Sequence, residues 1–256
     1  MVITSISNEQ IKNIIQLKEK AKVRKQKKQF VVEGIKMFSE VPKENLKAVY
    51  VSESFLRENE EKLQDVCFQT GSDSVFKKIS DTVTPQGVMA VVTQSEYSLT
   101  DILNCRNKEK SCIVVLDRLQ DPGNLGTILR TGEGAGISGV IMSSDCADIY
   151  NPKVIRSTMG SIFRVPFTVV DDLPTAIDTI REAGVTTYAA HLQGKDYNKG
   201  VFEKDIALLI GNEARGLSKE VSDRADKLIR IPMEGKVESL NAAVATAILM
   251  YEAKWK

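Results

Sequence analysis

From residue 112 onward, short apolar runs alternate with longer stretches of helical periodicity. Cys112–Asp117 (CIVVLD), Gly139–Ser143 (GVIMS), Arg164–Val169 (RVPFTV), Thr186–His191 (TTYAAH), Ile206–Gly211 (IALLIG) and Lys227–Ile231 (KLIRI) predict short buried strands. Leu125–Glu133, Pro152–Met159, Leu173–Ala183 and Asn241–Lys254 predict helices. Continuous apolar strands separated by helices predict an α/β fold with a parallel sheet covered on both faces. Ligands on such sheets bind beyond the carboxyl ends of the strands.

The N-terminal part reads differently. Ser7-Asn8-Glu9-Gln10 starts a helix, and Ile11, Ile14 and Ile15 give it a short apolar stripe. Strands are predicted at Gln29–Glu33 (QFVVE), Leu46–Val51 (LKAVYV) and Gly87–Thr93 (GVMAVVT), and helices at Gly34–Val41 and Ser54–Gln64. This predicts a small α/β domain over 1–95, a polar linker over 96–110 with a short helix near Leu99–Leu103, and a larger domain over 111–256.

Composition narrows the class. Apolar residues make up 42% of the 256, enough for a packed core. No apolar run approaches the roughly 18 residues of a membrane span, and MVITSISNEQ lacks the basic-then-apolar order of a secretory signal. Cys67, Cys105, Cys112 and Cys146 show neither C-x-x-C spacing nor nearby histidines, so neither a metal site nor a disulfide framework is expected. The expectation is a reduced, cytoplasmic protein with no membrane partner. The net charge of +1 says little, but its distribution says more. Lys12, Lys18, Lys20, Lys22, Arg24, Lys25, Lys27 and Lys28 crowd one stretch with Glu19 as its only acid. Such a cluster attracts polyanions, and it is equally compatible with a solvated helix face.

Two motifs mislead. Gly134-Ala135-Gly136-Ile137-Ser138-Gly139 fits G-x-G-x-x-G, but a helix precedes it and a strand follows, the reverse of a dinucleotide site. It reads as a helix C-terminus and turn, which argues against a nicotinamide-dependent dehydrogenase. His191, the only histidine, ends a strand and reads as structural.

Three polar clusters remain. In Asp121-Pro122-Gly123-Asn124, a turn follows the first strand, with Asn124 placed to cap a helix and Arg130 about one and two-thirds turns on, positioned to bind phosphate. Gly211–Ser218 (GNEARGLS) follows a buried strand directly, where a ligand is expected. Ile231–Asn241 (IPMEGKVESLN) leads into the last helix, with Ser239 and Asn241 as candidate caps. Each has a plain structural reading as a cap or turn.

Together, NLGTILRTGEGAG at 124–136, NPKVIRSTMGSIFRVP at 151–166, IGNEARGLS at 210–218 and IPMEGKVESLNAAVATAI at 231–248 resemble the SpoU/TrmH family of SPOUT-class RNA 2′-O-ribose methyltransferases. FVVEG at 30–34 and TPQGVMAV at 84–91 resemble, more loosely, that family's ribosomal-protein-like substrate-binding domain. The resemblance implies a parallel-sheet SPOUT domain with a C-terminal trefoil knot, preceded by a small α/β RNA-binding domain. It implies S-adenosylmethionine as cofactor, with Gly211, Ile231 and Leu240 lining the pocket and Leu192, Asn212 and Met233 counted with them. It implies Arg130, Asn124, Glu213, Ser239 and Asn241 as the catalytic set, with Arg130 as the base. Arginine's pKa above about 12 makes phosphate binding and alkoxide stabilisation an equally physical role.

The expected partners are RNA, most readily ribosomal RNA, and a second copy of the chain joined partly through the last helix. Lys22, Arg24 and Lys25, with Arg130, are the expected RNA contacts. The alternatives are a transfer-RNA 2′-O-methyltransferase and a non-catalytic RNA-binding or ribosome-assembly protein with a methyltransferase fold.

Overall fold

The computed structural model describes residues 2–64, 66–106, 110–197 and 202–255. These form two compact units, one from 1–95 with 150–163 and the other from 96–149 with 164–256.

The first unit contains β1 (Val2–Ile3), α1 (Glu9–Glu19), α2 (Ala21–Lys27), β2 (Gln29–Glu33), α3 (Ile35–Ser39), β3 (Leu46–Ser52), α4 (Glu53–Asn59), β4 (Phe68–Gly71), α5 (Asp73–Ile79) and β5 (Val88–Thr93). Its sheet order is β1-β4-β3-β5-β2, with β5 antiparallel to both its neighbours. The Asn8 side chain caps α1 by accepting from Gln10 N and Ile11 N. Ile11, Ile14 and Leu17 then fall on one face and are fully buried, worth about 1.5–3 kcal/mol each.

The second unit begins with α6 (Leu99–Asn104), β6 (Ser111–Leu116), α7 (Pro122–Ala135) and β7 (Gly139–Ser143). Residues 96–110 are therefore more than a linker. Ser98 and Asp101 form a capping box on α6, and Ile102 is fully buried beside Ile113, Ile141 and Ile177. Residues 107–109 of that stretch lie outside the described residues.

The chain then contributes α8 (Pro152–Thr158) to the first unit, where the expected boundaries had put 150–163 in the C-terminal domain. The reason is aromatic packing: the Tyr150 ring lies 4.7 Å from that of Phe30 and the Phe163 ring 6.2 Å from it, and the Tyr150 hydroxyl donates to Ser95 O at 3.0 Å.

The second unit resumes with β8 (Phe167–Val170), α9 (Leu173–Glu182), β9 (Thr186–Asp196), β10 (Asp205–Ile210), α10 (Lys219–Ser222), β11 (Lys227–Arg230) and α11 (Ala242–Trp255). Its sheet order is β11-β9-β10-β6-β7-β8, and every neighbouring pair is parallel. All six residues of β6 and all five of β7 are buried, as both-face coverage requires. From β6 the chain first builds outward through β7 and β8, then returns on the other side through β9 and β10. The resulting switch point lies between β6 and β10, and the segments after both strands meet at their carboxyl ends.

Candidate functional site

α7 begins earlier than the sequence pattern suggests. Asp121 caps it by accepting from Asn124 N at 2.8 Å, and Pro122 occupies the first turn, where its missing N–H costs nothing. Asn124 is therefore not the cap but a first-turn residue whose side chain is not spent on capping. The helix ends at Gly136, whose φ of 69° is the left-handed cap expected of the glycine-rich stretch.

Asn124 uses its side chain to join all three polar clusters. Its Nδ2 donates to Glu213 Oε1 at 3.1 Å, and its Oδ1 accepts from Asn241 Nδ2 at 2.9 Å. Glu213 also accepts from Asp121 N at 3.0 Å and Gln120 N at 3.2 Å. Glu213 is exposed overall, and the partial shielding of its carboxyl from water pushes it up, but the hydrogen bonds from the Asp121 backbone, the Asn124 side chain and the Gln120 backbone outweigh this and hold the group below the usual glutamate range. Glu213 is thus a fixed anion, poorly suited to accept a proton. Asn241 in turn caps α11, accepting from Ala243 N at 2.9 Å and Val244 N at 3.2 Å.

The 211–218 loop folds tightly on itself. Asn212 N donates to Gly216 O at 3.0 Å and Gly216 N returns a bond to Asn212 O at 2.9 Å. A Cβ at Gly211 would meet Gly216 C and Leu217 N at 2.2 Å, so only glycine fits. The Asn212 side chain accepts from Ala214 N and Arg215 N and donates to Arg118 O.

A cavity of about 470 Å³ lies beside this loop. Four segments wall it: residues 210–217, residues within 229–240, the α11 residues Ala242, Ala245 and Leu249, and residues 190–193 of β9. The last segment is a surprise of the sheet. The β9–β11 pairing jumps from Ala189↔Leu228 to Lys195↔Ile229, so the intervening β9 residues leave the ladder and reach the cavity. Gly211, Asn212, Ile231, Met233, Leu240 and Leu192 all line it, as do Glu213 and Ser239. Asn124, Arg130 and Asn241 do not. Arg130 is exposed on α7, and among the described residues no side-chain hydrogen bond or ion pair engages it. Ser239 is exposed at the rim. His191 also lines the cavity, with Nδ1 accepting from Gln193 N at 3.2 Å.

Burial pushes the Cys112 thiol up to about 12 and also raises that of Cys146, so neither is a thiolate nucleophile at neutral pH. Among the described residues no cluster of histidine, cysteine or acidic side chains could hold a metal ion, and no helix is long and apolar enough to cross a membrane.

In the first unit the basic stretch divides. Lys22 and Lys25 are exposed. Arg24 is not: it is 3% exposed, and its Nη1 donates to Leu17 O at 2.8 Å and Lys18 O at 2.9 Å. These are carbonyls of the last turn of α1, which lack partners within the helix. Arg24 therefore caps a helix C-terminus rather than facing a polyanion. Lys18 is also withdrawn, pairing with Glu33 at 3.5 Å and Asp81 at 3.1 Å.

Known proteins share this fold. Residues 111–251 match the SpoU rRNA methylase family, and residues 8–90 match the MRM3-like substrate binding domain. The chain belongs to the SpoU rRNA methylase family. It is 32% identical over 259 residues to the 23S rRNA (guanosine(2553)-2′-O)-methyltransferase RlmP of Bacillus subtilis (strain 168), covering 98% of both chains. Among solved structures it is similar to an AdoMet-bound rRNA methyltransferase from Sinorhizobium meliloti, with a TM-score of 0.84, 31% identity and coverage of 100% of this chain and 97% of that one. It is also similar to the SpoU methyltransferase AviRb from Streptomyces viridochromogenes in complex with AdoMet, with a TM-score of 0.85, 27% identity and coverage of 97% of each chain.

Proposed function

We propose that this protein methylates a ribose 2′-hydroxyl of ribosomal RNA in the cytoplasm, using S-adenosylmethionine. The observation that carries the reading is the cavity beside the 211–218 loop, joined through Glu213, Asn124 and Asn241 to the helix that bears Arg130. Its volume of about 470 Å³ suits a small cofactor. Its lining suits one with a flat apolar base and polar edges: Leu192, Ile231, Met233 and Leu240 supply apolar surface, and Gly211 and Asn212 bring backbone close. These six residues would hold the cofactor. When bound, S-adenosylmethionine supplies a methyl group already activated on a sulfonium, so no metal is needed.

The chain's own task is to hold the ribose oxygen in line and to manage one proton; positioning alone can supply roughly 7–11 kcal/mol of the barrier. With Glu213 saturated by hydrogen bonds, Arg130 is the group available to the ribose. Its unengaged guanidinium binds the adjoining phosphate and stabilises negative charge on the 2′-oxygen as the hydroxyl proton passes to solvent water and the oxygen takes the methyl group from the sulfonium. The Asn241–Asn124–Glu213 chain holds the N-terminus of α7 against the cofactor loop, and Ser239 lines the entry. Lys22 and Lys25, exposed on the first unit, bind RNA phosphates.

Two architectural features belong to the same reading. β11 lies at the sheet edge while α11 packs on β6, β10 and α7, so the 231–241 segment doubles back, which supports a trefoil-knotted path. Val244, Tyr251 and Trp255 form an exposed apolar stripe on α11, which supports a homodimer through that helix.

The test is transfer of labelled methyl groups from S-adenosylmethionine to separated pools of ribosomal and transfer RNA. Label is expected in ribosomal RNA, at a nucleotide that becomes resistant to alkaline cleavage. Arg130→Ala should abolish turnover while leaving cofactor binding nearly intact. Label in transfer RNA alone would reassign the substrate, and an active Arg130→Ala would refute the role given to that residue.

A further inference from the structure

Leu217 gives the 211–218 loop one apolar anchor near its far end, packing against the core of the second unit. Glu213, Ala214, Arg215 and Gly216 are all exposed, so no buried side chain sets the loop's shape between Asn212 and Leu217. Polar ties to the segment after β6 set it instead. Asp117 and Arg118 hold its two ends. Asp117 is 3% exposed, and its carboxylate Oδ2 accepts from Ser218 N at 2.6 Å. Arg118 O accepts from Asn212 Nδ2 at 2.8 Å.

Arg118 can offer its carbonyl there because its backbone is left-handed, with φ of 55°. Non-glycine residues adopt this conformation only where their surroundings over-determine it. Here two contacts do so. Arg118 N donates to Ser143 Oγ at 2.9 Å, and the Arg118 guanidinium returns to Asp117, with Nε 3.1 Å from Oδ1. One buried carboxylate thus holds the far end of the loop directly and steadies the residue that holds the near end. A buried charge of this kind is retained only when it is well partnered, and its partners here are the loop and the loop's other anchor.

We propose that Asp117 is a positioning residue for cofactor binding: it fixes the 211–218 loop in the shape that receives S-adenosylmethionine. The inference rests on the cofactor assignment above and goes beyond it, because Asp117 does not itself line the cavity.

The test uses the full chain carrying Asp117→Ala or Asp117→Asn. Three quantities are measured: S-adenosylmethionine affinity by calorimetry, melting temperature without ligand, and KM for cofactor and for RNA separately. Hydrogen bonds to charged acceptors imply roughly a tenfold to hundredfold loss of cofactor affinity for Asp117→Ala. Asp117→Asn keeps an oxygen for Ser218 N and should recover part of that loss. KM for the cofactor should rise while KM for RNA holds. Wild-type cofactor affinity in both variants, with only a lower melting temperature, would make Asp117 a stability element and overturn the proposal. Failure of both variants to fold would overturn it in the same way. Failure of the wild-type chain to bind S-adenosylmethionine would instead overturn the cofactor assignment.

Discussion

Replacing Gly211 by alanine puts a methyl group where the loop has no room for one. The new Cβ would sit 2.2 Å from Gly216 C and Leu217 N and 2.5 Å from Gly216 O. All three are backbone atoms, so no rotamer change relieves the clash, and the loop must retreat by about 1 Å to restore ordinary contact. That movement breaks the paired bonds between Asn212 and Gly216, now 3.0 and 2.9 Å. Overpacking of this kind costs about 1–3 kcal/mol. If the cost falls on the folded state, the melting temperature drops by about 2–4 °C per kcal/mol. If the loop relieves it by opening, the cost appears in cofactor affinity, at about tenfold per 1.4 kcal/mol. Thermal melting without ligand and calorimetric titration with S-adenosylmethionine, on the same preparation of Gly211→Ala, separate the two. A variant with wild-type values in both would refute the claim that close backbone approach selects glycine here.

Other expectations follow from single contacts. Because its hydrogen bonds hold the folded Glu213 carboxyl below its usual value, the stability it contributes is present above that usual value and is lost as pH falls through the lowered one. Glu213→Gln should flatten the acid limb of the melting-temperature profile; an unchanged limb would refute the clamp. Val244→Glu with Tyr251→Glu should convert a dimer to a monomer in sedimentation, and a monomeric wild type would refute the interface. Lys22→Glu with Lys25→Glu should weaken RNA binding and shallow its salt dependence. Arg24→Gln should instead cost about 1–3 kcal/mol of stability, because it leaves carbonyls of α1 without their donor; wild-type stability would refute the capping role.

The chain's linear pattern determined the parallel sheet and the places where its strands give way to polar loops. β6, β7 and β10 read as apolar runs because both their faces are buried, and that requirement is written into consecutive residues. The polar clusters at 121–130, 211–218 and 231–241 are legible for a related reason: glycine, proline and asparagine interrupt those runs where the strands end. β1, β4 and α5 escaped the pattern. The two strands are too short to show an alternation, and α5 buries Val75, Phe76 and Ile79 in a single segment of seven residues.

Tertiary structure alone decided what depends on partners distant in sequence. Arg24 looks like its basic neighbours until the end of α1 claims it. Residues 150–163 read as part of the C-terminal domain until Phe30 receives Tyr150 and Phe163. The bulge of β9 exists only because β11 pairs with it on either side of the gap. Asp117 reads as the polar end of an apolar strand, and its hold on Ser218 spans 101 residues of sequence. Burial patterns are local and repeat with the helix or strand, whereas a hydrogen bond across the fold leaves no periodic trace in the chain.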